Sequence, residues 1–88
     1  MTKVLFSERA WQHYQYWQET DRKRLRKLND LIKAAMRTPF EGIGKPEALL
    51  AEYSGFWSRR IDDEHRLVYR VKDDILEIAQ CRFHYDKR

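Results

Sequence analysis

Alternation of residue types over residues 56–70 constrains the fold of this chain more than any other feature. Aromatic and branched residues alternate with arginines in Phe56-Trp57-Ser58-Arg59-Arg60-Ile61, and again in Arg66-Leu67-Val68-Tyr69-Arg70. A period of two gives one face of a β-strand to a core and the other face to solvent. An acidic segment between the two runs predicts the turn of a β-hairpin.

The length of that turn decides which side chains share a face. With the odd turn Asp62-Asp63-Glu64, Arg60 lies opposite Arg66. A two-residue turn would instead pair Ile61 with Arg66. We predict the odd turn, because it also gathers the apolar residues on the opposite face: Trp57, Ile61, Leu67, Tyr69 and Val71. A sheet with arginines along one face is suited to binding phosphate, which makes RNA the expected partner.

Length and composition limit the class of protein. The 88 residues suffice for a single domain with one small core, here residues 1–88. A formal net charge of +4 favours an anionic partner, although 14 acidic residues mean that the basic excess must be local to matter. The single Cys81 lies in an apolar strand pattern, as expected for a buried thiol in a reducing cytosol. No apolar run reaches the length of a membrane span, so we expect a cytoplasmic protein.

Helical periodicity precedes the hairpin. After a short strand at Val4-Leu5-Phe6, Ser7 is the predicted N-cap of a first helix. The stripe of that helix is typical of a core face: Ala10, Trp11, Tyr14 and Trp17. His13 lies beside the stripe and has no catalytic partner at local spacing, so a structural role is favoured.

A second amphipathic helix follows after Thr20-Asp21 and ends at Thr38, because the next residue is Pro39. The short connection predicts that the two helices form an antiparallel hairpin. The basic outer face of the second helix suits either RNA phosphates or ordinary solvation. Near the C-terminus, the run from Ile75 to Phe83 is apolar on both faces and predicts a central strand.

The segment between the helices and the hairpin is predicted to be a loop. Residues 39–47, the glycine loop, contain both prolines and two of the three glycines. Glycines let a backbone approach phosphate closely, but the P-loop pattern is missing, which argues against nucleotide hydrolysis. The three histidines and the single cysteine are far apart in the sequence, so we predict neither a metal site nor another cofactor.

Metal-independent cleavage of RNA requires a base for the 2′-hydroxyl proton, an acid for the leaving 5′-oxygen, and cations around the phosphorane. Glu47 is the candidate base, and His84 is the candidate acid, since a histidine has an ordinary pKa near 6.5. The remaining candidates are the catalytic cations Arg60 and Arg66, the aromatic Tyr85 and the RNA-binding residues Lys45, Arg59 and Arg82. A frayed, functionless terminus is the alternative for the segment around His84 and Tyr85.

Six separated motifs resemble the YoeB toxins, members of the RelE superfamily of ribosome-dependent mRNA interferases. They follow one another in the same order along nearly the whole chain: Tyr16-Trp17-Gln18-Glu19-Thr20-Asp21, Arg37-Thr38-Pro39-Phe40-Glu41-Gly42, Gly44-Lys45-Pro46-Glu47, Ser54-Gly55-Phe56-Trp57-Ser58-Arg59-Arg60-Ile61, Glu64-His65-Arg66-Leu67-Val68-Tyr69 and Cys81-Arg82-Phe83-His84-Tyr85. The resemblance implies an α+β, microbial-RNase-like (RelE-like) fold. In it, two N-terminal helices pack on a mostly antiparallel sheet, and the active site lies on the open face.

The resemblance also implies a function. The chain would be an endoribonuclease toxin that cuts mRNA in the 30S A site of the ribosome and is neutralised by a YefM-type antitoxin. By position, the family's base falls on Glu47, its arginines on Arg60 and Arg66, its acid on His84 and its terminal aromatic on Tyr85. A homodimer is left open.

Two departures from the family pattern stand out. Close relatives can have a lysine where this chain has Leu50, so that charge is either absent here or supplied by Lys45. The chain also continues through Asp86-Lys87-Arg88, whereas close relatives can stop at the tyrosine.

Two other functions stay open: a non-catalytic RNA- or DNA-binding or protein-interaction module, and a general ribonuclease that acts on free RNA.

Overall fold

Two helices pack on one face of a five-stranded sheet in the structure, a computed structural model that describes residues 3–85. The elements in chain order are β1 (Lys3–Phe6), α1 (Glu8–Thr20), α2 (Arg22–Arg37), β2 (Glu47–Ala48), β3 (Trp57–Arg60), β4 (Arg66–Lys72) and β5 (Ile75–Gln80). The strand order is β1-β5-β4-β3-β2, and only the pair β1 and β5 is parallel. The predicted α+β class and mostly antiparallel sheet are confirmed.

Side-chain caps define the two helices. The Ser7 hydroxyl accepts a hydrogen bond from the amide of Ala10, as predicted for an N-cap. Asp21 serves both helices: its amide closes α1 on the Trp17 carbonyl, and its carboxylate accepts from the Arg24 amide at the start of α2. The helices therefore fold back at a single residue. No helix among residues 3–85 is long and apolar enough to cross a membrane.

The core lies between the helices and the sheet. Its buried members are Ala10, Trp17, Leu28, Leu31, Ile32, Ala35, Ile61, Leu67, Tyr69, Leu76, Ile78 and Cys81. Each large apolar side chain that is buried in this way contributes roughly 1.5–3 kcal/mol to stability. The prediction for the α1 stripe is wrong at Trp11, which is 46% exposed and stacks on Tyr14 at the rim of the core.

The register of the hairpin agrees with the odd turn. Arg60 pairs with Arg66 across β3 and β4, and the amide of Ile61 donates to the carbonyl of His65. The Asp62 carboxylate accepts from two amides within the turn and stabilises it. As predicted, the apolar residues of the hairpin face the helices, with Ile61, Leu67 and Tyr69 in the core itself.

The prediction for the last strand is wrong in two respects. β5 ends at Gln80, three residues before the predicted end at Phe83, although it is an interior strand, between β1 and β4, as predicted. Nor is β5 apolar on both faces, because Glu77 lies on the face away from the helices and binds Arg70 of β4 at 2.5 Å. Period-two patterning identified the strand, but its neighbours depend on a parallel pairing with β1 that lies far away in sequence.

Candidate active site

The face of the sheet that points away from the helices, here called the open face, carries a row of side chains across four strands. Residues paired directly across a sheet project on the same side. Glu47 pairs with Ser58, Ser58 with Val68, and Val68 with Gln80. Ser58, Val68 and Gln80 are buried, whereas Glu47 is exposed at the edge strand β2. The row is thus a buried surface, here called the dry floor, with the carboxylate of Glu47 at one end.

Two arginines form the next row on the same face. Arg60 lies two residues beyond Ser58, and its partner Arg66 lies two residues before Val68. Arg66 is only 8% exposed, and its Nη1 donates to the carbonyls of Asp62, Asp63 and His65. Arg60 is exposed, and its guanidinium pairs with no carboxylate among residues 3–85. The hairpin turn therefore orients one cation, while the other faces solvent.

Arg59 binds the glycine loop from below the sheet. It is fully buried, and its Nε donates to the Tyr69 hydroxyl. Its Nη1 and Nη2 donate to three carbonyls: that of Thr38, just before the loop, and those of Glu41 and Ile43 within it. The Tyr69 hydroxyl in turn donates to the carbonyl of Pro39 at 2.6 Å, and burial raises the pKa of Tyr69. We call this cluster the arginine clamp, and it fixes the loop that leads to Glu47.

Gly44 allows the loop to lie against the core. Its φ of +84° belongs to the left-handed region. A Cβ at this position would lie 2.6 Å from Leu31 Cδ2 and 3.1 Å from the Cβ of Arg59. The carbonyl of Gly44 also accepts a hydrogen bond from the amide of Arg60 at 2.7 Å. Close approach at Gly44 thus joins the loop to the strand that carries both arginines.

Residues 81–85, the C-terminal stretch, leave β5 and run beside the arginine row. The amide of Arg66 donates to the carbonyl of Phe83 at 3.0 Å, and the Gln80 side-chain amide donates to the same carbonyl. His84 follows and is exposed. The ring of Tyr85 lies 4.5 Å from that of His84 and 5.9 Å from that of Tyr53, centroid to centroid. The stretch therefore extends from β5 toward the edge that carries Glu47.

A pocket of about 350 Å³ opens between Tyr85 and that edge. It is lined by Glu47, Ala48, Leu49, Leu50, Ala51, Glu52, Tyr53 and Tyr85. Leu50 is exposed beside it and supplies an apolar wall in place of a charge. The pocket combines two tyrosine rings with two carboxylates, those of Glu47 and Glu52, which suits a flat, polar-edged group such as a nucleobase.

Two buried histidines bind the C-terminal stretch from the side of the sheet that faces the helices. The amide of Cys81 donates to His13 Nδ1, and the amide of Phe83 donates to His65 Nδ1. Burial, together with the nearby charges of Arg9 and Arg82, lowers the pKa of His13 to about 4. The acceptor is therefore neutral at pH 7. Burial also raises the pKa of the Cys81 thiol to about 12, so this thiol is chemically quiet.

The structure brings Glu47, Arg60 and Arg66 to the open face. His84 and Tyr85 lie in the C-terminal stretch, whose Phe83 carbonyl binds the amide of Arg66 and whose Tyr85 lines the pocket beside Glu47. Lys45 is exposed in the loop just before Glu47. Arg82 lies elsewhere, with its guanidinium carbon 3.5 Å from the ring centroid of Tyr16 on α1. The Asp86-Lys87-Arg88 extension lies outside the described residues.

One predicted RNA contact needs correction. Arg59 has no exposed surface, since all its side-chain donors face the clamp. The pattern that predicted the hairpin contained the signal, because Arg59 stands between the inward residues Trp57 and Ile61 at a spacing of two. The binding roles of His13 and His65 were missed for a different reason: their partners lie 68 and 18 residues away.

Metal ligands do not cluster in the described part of the chain. Within residues 3–85, no group of three or more His, Cys, Asp or Glu side chains is placed to hold a metal ion. The chemistry that these residues offer is that of a carboxylate and two guanidinium groups on one face, with an imidazole in the adjoining stretch and an aromatic pocket beside them.

Comparison with known proteins identifies similar sequences and folds. A profile of the YoeB-like toxins of bacterial type II toxin–antitoxin systems matches residues 6–85. Toxin YoeB of Escherichia coli is 61% identical over 83 residues, which cover 94% of this chain and 99% of that protein. The YoeB/ParE toxin from Agrobacterium tumefaciens superposes with a TM-score of 0.93 at 51% identity, covering 96% of this chain and all of that one.

Two solved structures from Staphylococcus aureus show assemblies. A heterotetrameric YoeB–YefM toxin–antitoxin complex contains a chain with a TM-score of 0.88 and 45% identity, covering 97% of this chain and 99% of that one. A YoeB dimer gives a TM-score of 0.87 at 46% identity, covering 94% and 97% respectively. Similarity thus extends over nearly the full length of each relative.

Proposed function

The chain belongs to the YoeB-like toxins of bacterial type II toxin–antitoxin systems, and from this membership we propose that it is an endoribonuclease that cuts mRNA in the ribosomal A site. One observation supports the proposal above all. An exposed carboxylate and an exposed imidazole, Glu47 and His84, border the face that carries Arg60 and Arg66. Acid, base and cations are the three requirements for attack of a 2′-hydroxyl on its own phosphate.

Glu47 would be the base. It lies at the end of the dry floor, beside Ser58, and the arginine clamp fixes the loop that precedes it. Removal of the 2′-hydroxyl proton starts the attack of that oxygen on phosphorus. A base gains most when the hydroxyl is already aligned, because positioning can replace roughly 7–11 kcal/mol of barrier. An mRNA codon that is fixed on the ribosome provides such alignment.

Arg60 and Arg66 would stabilise the phosphorane. Charge develops on the phosphate oxygens as the bond forms, and fixed guanidinium donors stabilise that charge without reorganising. Arg66 suits this role because three carbonyls hold its Nη1 and the floor below it is dry. Exposed Arg60 suits a contact that forms when RNA arrives, and Lys45 adds charge at the rim.

His84 would be the acid that protonates the leaving 5′-oxygen. It follows Phe83, whose carbonyl accepts from the amide of Arg66, so the imidazole emerges beside the arginine row. Tyr85 and Tyr53 would stack on a nucleobase in the pocket beside Glu47.

We also propose control by a partner. A YefM-type antitoxin would neutralise the toxin, in line with the YoeB–YefM complex from Staphylococcus aureus. Homodimerisation is proposed on the same grounds, from the YoeB dimer of that organism. Both apply to a protein that acts on cytoplasmic ribosomes.

Translation in a reconstituted system, with mRNA ends mapped, tests the proposal. We expect cuts within the A-site codon that require both ribosomes and this protein, and far slower cutting of the same RNA when it is free. On free RNA the residual rate should not change with EDTA, because no metal takes part. Equal rates on free and ribosome-bound RNA would indicate a general ribonuclease, and ribosome binding without cuts would indicate a non-catalytic module.

A further inference from the structure

Two buried imidazoles accept hydrogen bonds from the backbone of the C-terminal stretch. Cys81 donates to His13 Nδ1 at 3.2 Å, and Phe83 donates to His65 Nδ1 at 2.7 Å. His13 is 8% exposed and His65 is 9% exposed. An imidazole nitrogen can accept only when it carries no proton, so each ring has a free Nδ1 in this arrangement. Backbone amides of an irregular segment thereby find buried partners.

Aromatic packing fixes both imidazole rings. The Trp17 ring meets His65 edge-on at 4.9 Å between centroids, and its Nε1 donates to the Cys81 carbonyl at 2.8 Å. The Phe83 ring lies 5.7 Å from that of His13 and 6.0 Å from that of His65. Such contacts add packing energy beyond area burial and restrict ring rotation. Trp17 belongs to the core and Phe83 to the stretch, so both contribute to the positions of the acceptors.

The backbone of Phe83 is strained, and hydrogen bonds hold both its N–H group and its carbonyl. Its φ is 67°, in the left-handed region that is unfavourable for a residue with a side chain. Its N–H binds His65, and its carbonyl accepts from the Arg66 amide and the Gln80 side chain. A strained conformation persists only when its surroundings over-determine it. The hydrogen bond to His65 is one of those determinants.

His84 depends on this arrangement, because its own side chain is exposed and, within residues 3–85, its hydrogen bond and its ring contact are both with the neighbouring Tyr85. We propose that His65 is a positioning residue for RNA cleavage: by accepting from the Phe83 amide, it sets the point from which His84 projects beside Arg66. This inference rests on the proposed function. His13 supports the same stretch two residues earlier, at Cys81.

His65 does not suit a direct role in the chemistry. Its neighbour Arg66 lies on the open face, and alternation along the strand places His65 on the helix side with Ile61 and Trp17. Its Nδ1 is occupied by the Phe83 amide. A group that is buried on the far side of the sheet reaches no phosphate on the open face. His65 therefore acts through the position of His84.

Two substitutions separate the acceptor from the ring. Asparagine places an amide oxygen near the position of Nδ1 but loses the aromatic contact with Trp17, whereas leucine keeps apolar volume and loses the acceptor. We expect His65→Leu to lower kcat on ribosome-bound mRNA on the order of 10²-fold, since small misplacement of a catalytic group can cost that much. KM should stay within about twofold in both variants. His65→Asn should keep most of the wild-type kcat, although we expect it to be less stable than His65→Leu.

Ile32→Val is the matched control, because Ile32 is as buried as His65, at 9% exposure, and belongs to α2. It should lose stability without losing kcat. The amide proton of Phe83 provides a readout that does not depend on activity: its NMR signal should be shifted downfield and protected from exchange in wild type and His65→Asn, but not in His65→Leu.

Distinct outcomes overturn distinct statements. Wild-type kcat in His65→Leu, or an equal loss of kcat in His65→Asn and His65→Leu, would contradict the positioning role while leaving the proposed function in place. An unchanged Phe83 amide signal in His65→Leu would overturn the hydrogen bond itself. Failure of the wild-type protein to cut any ribosome-bound mRNA would instead overturn the proposed function, and with it a role for His65 in cleavage.

Discussion

The two sides of the site are held in place by different chemistry. On the side of Glu47, one permanently charged guanidinium, that of Arg59, binds three carbonyls and a tyrosine hydroxyl in the core. On the side of His84, the acceptor nitrogens of His13 and His65 bind two backbone amides. An arginine stays charged at any pH at which the protein folds, whereas an imidazole loses its acceptor when it is protonated.

This difference predicts different kinds of failure. Polar groups are left unsatisfied when a buried cation loses its carbonyl partners, and also when the carbonyls lose their cation. Either change lowers the stability of the protein by several kcal/mol. A neutral acceptor contributes less, typically about 1 kcal/mol for each hydrogen bond. The loop before Glu47 should therefore be firmly fixed until the whole domain unfolds. The stretch that carries His84 should respond to single substitutions and to acid.

The largest effect is expected at the two reactive groups themselves. Glu47→Ala and His84→Ala should each lower the rate of mRNA cleavage by roughly 10²–10⁴-fold, the usual contribution of one acid or base. Both side chains are exposed, so thermal stability should stay near wild type. Cleavage rates on programmed ribosomes and melting curves provide the measurement. A variant that cuts like wild type would remove that residue from its role.

The arginine clamp should show the largest effect on stability. Arg59→Met leaves the carbonyls of the loop without donors inside the protein, and we expect the free energy of unfolding to fall by about 3–5 kcal/mol. The neighbour Arg60 is the matched control, since it is exposed on the opposite face. Arg60→Met should change stability by about 0.5 kcal/mol or less, while it slows cleavage. Urea unfolding that gave equal losses for both variants would contradict the clamp.

The contrast between Arg59 and Arg60 also shows how much of the fold and of the site can be predicted from the sequence. Alternation is local, so it predicted the hairpin, its odd turn and the pairing of Arg60 with Arg66. The same alternation assigns Arg59 to the core, but a charged residue there is explained only by carbonyls that lie 16 to 21 residues away. The acceptors His13 and His65 depend on contacts that no local period encodes. The residues of the site were predicted from the resemblance of the motifs. The contacts that hold those residues in place could be identified only in the folded structure.

Acid should weaken the histidine side first. The pKa of His13 is about 4 in the folded protein and near 6.5 when unfolded, so between these values the unfolded chain binds the extra proton. The free energy of unfolding should therefore fall as pH drops from about 6.5 to about 4, by at most about 3 kcal/mol from this group. The groups that face His13 are Arg9, Arg82 and His65.

Urea unfolding at several pH values between 7 and 4 measures this loss. His13→Asn keeps an acceptor for the Cys81 amide without a titrating ring, so its stability should depend less on pH across the same window. Identical pH profiles for wild type and His13→Asn would show that His13 does not couple folding to acid.

A single atom of the substrate tests the central claim most directly, namely that Glu47 and His84 act across the arginine row on a 2′-hydroxyl. The measurement is the rate of cutting of ribosome-bound mRNA with deoxyribose at only the nucleotide 5′ to the scissile phosphate. The account predicts that this substitution abolishes the cut while toxin binding to the ribosome is unchanged, because the nucleophile is missing. Cutting at the wild-type rate through the 2′-deoxy position would contradict it.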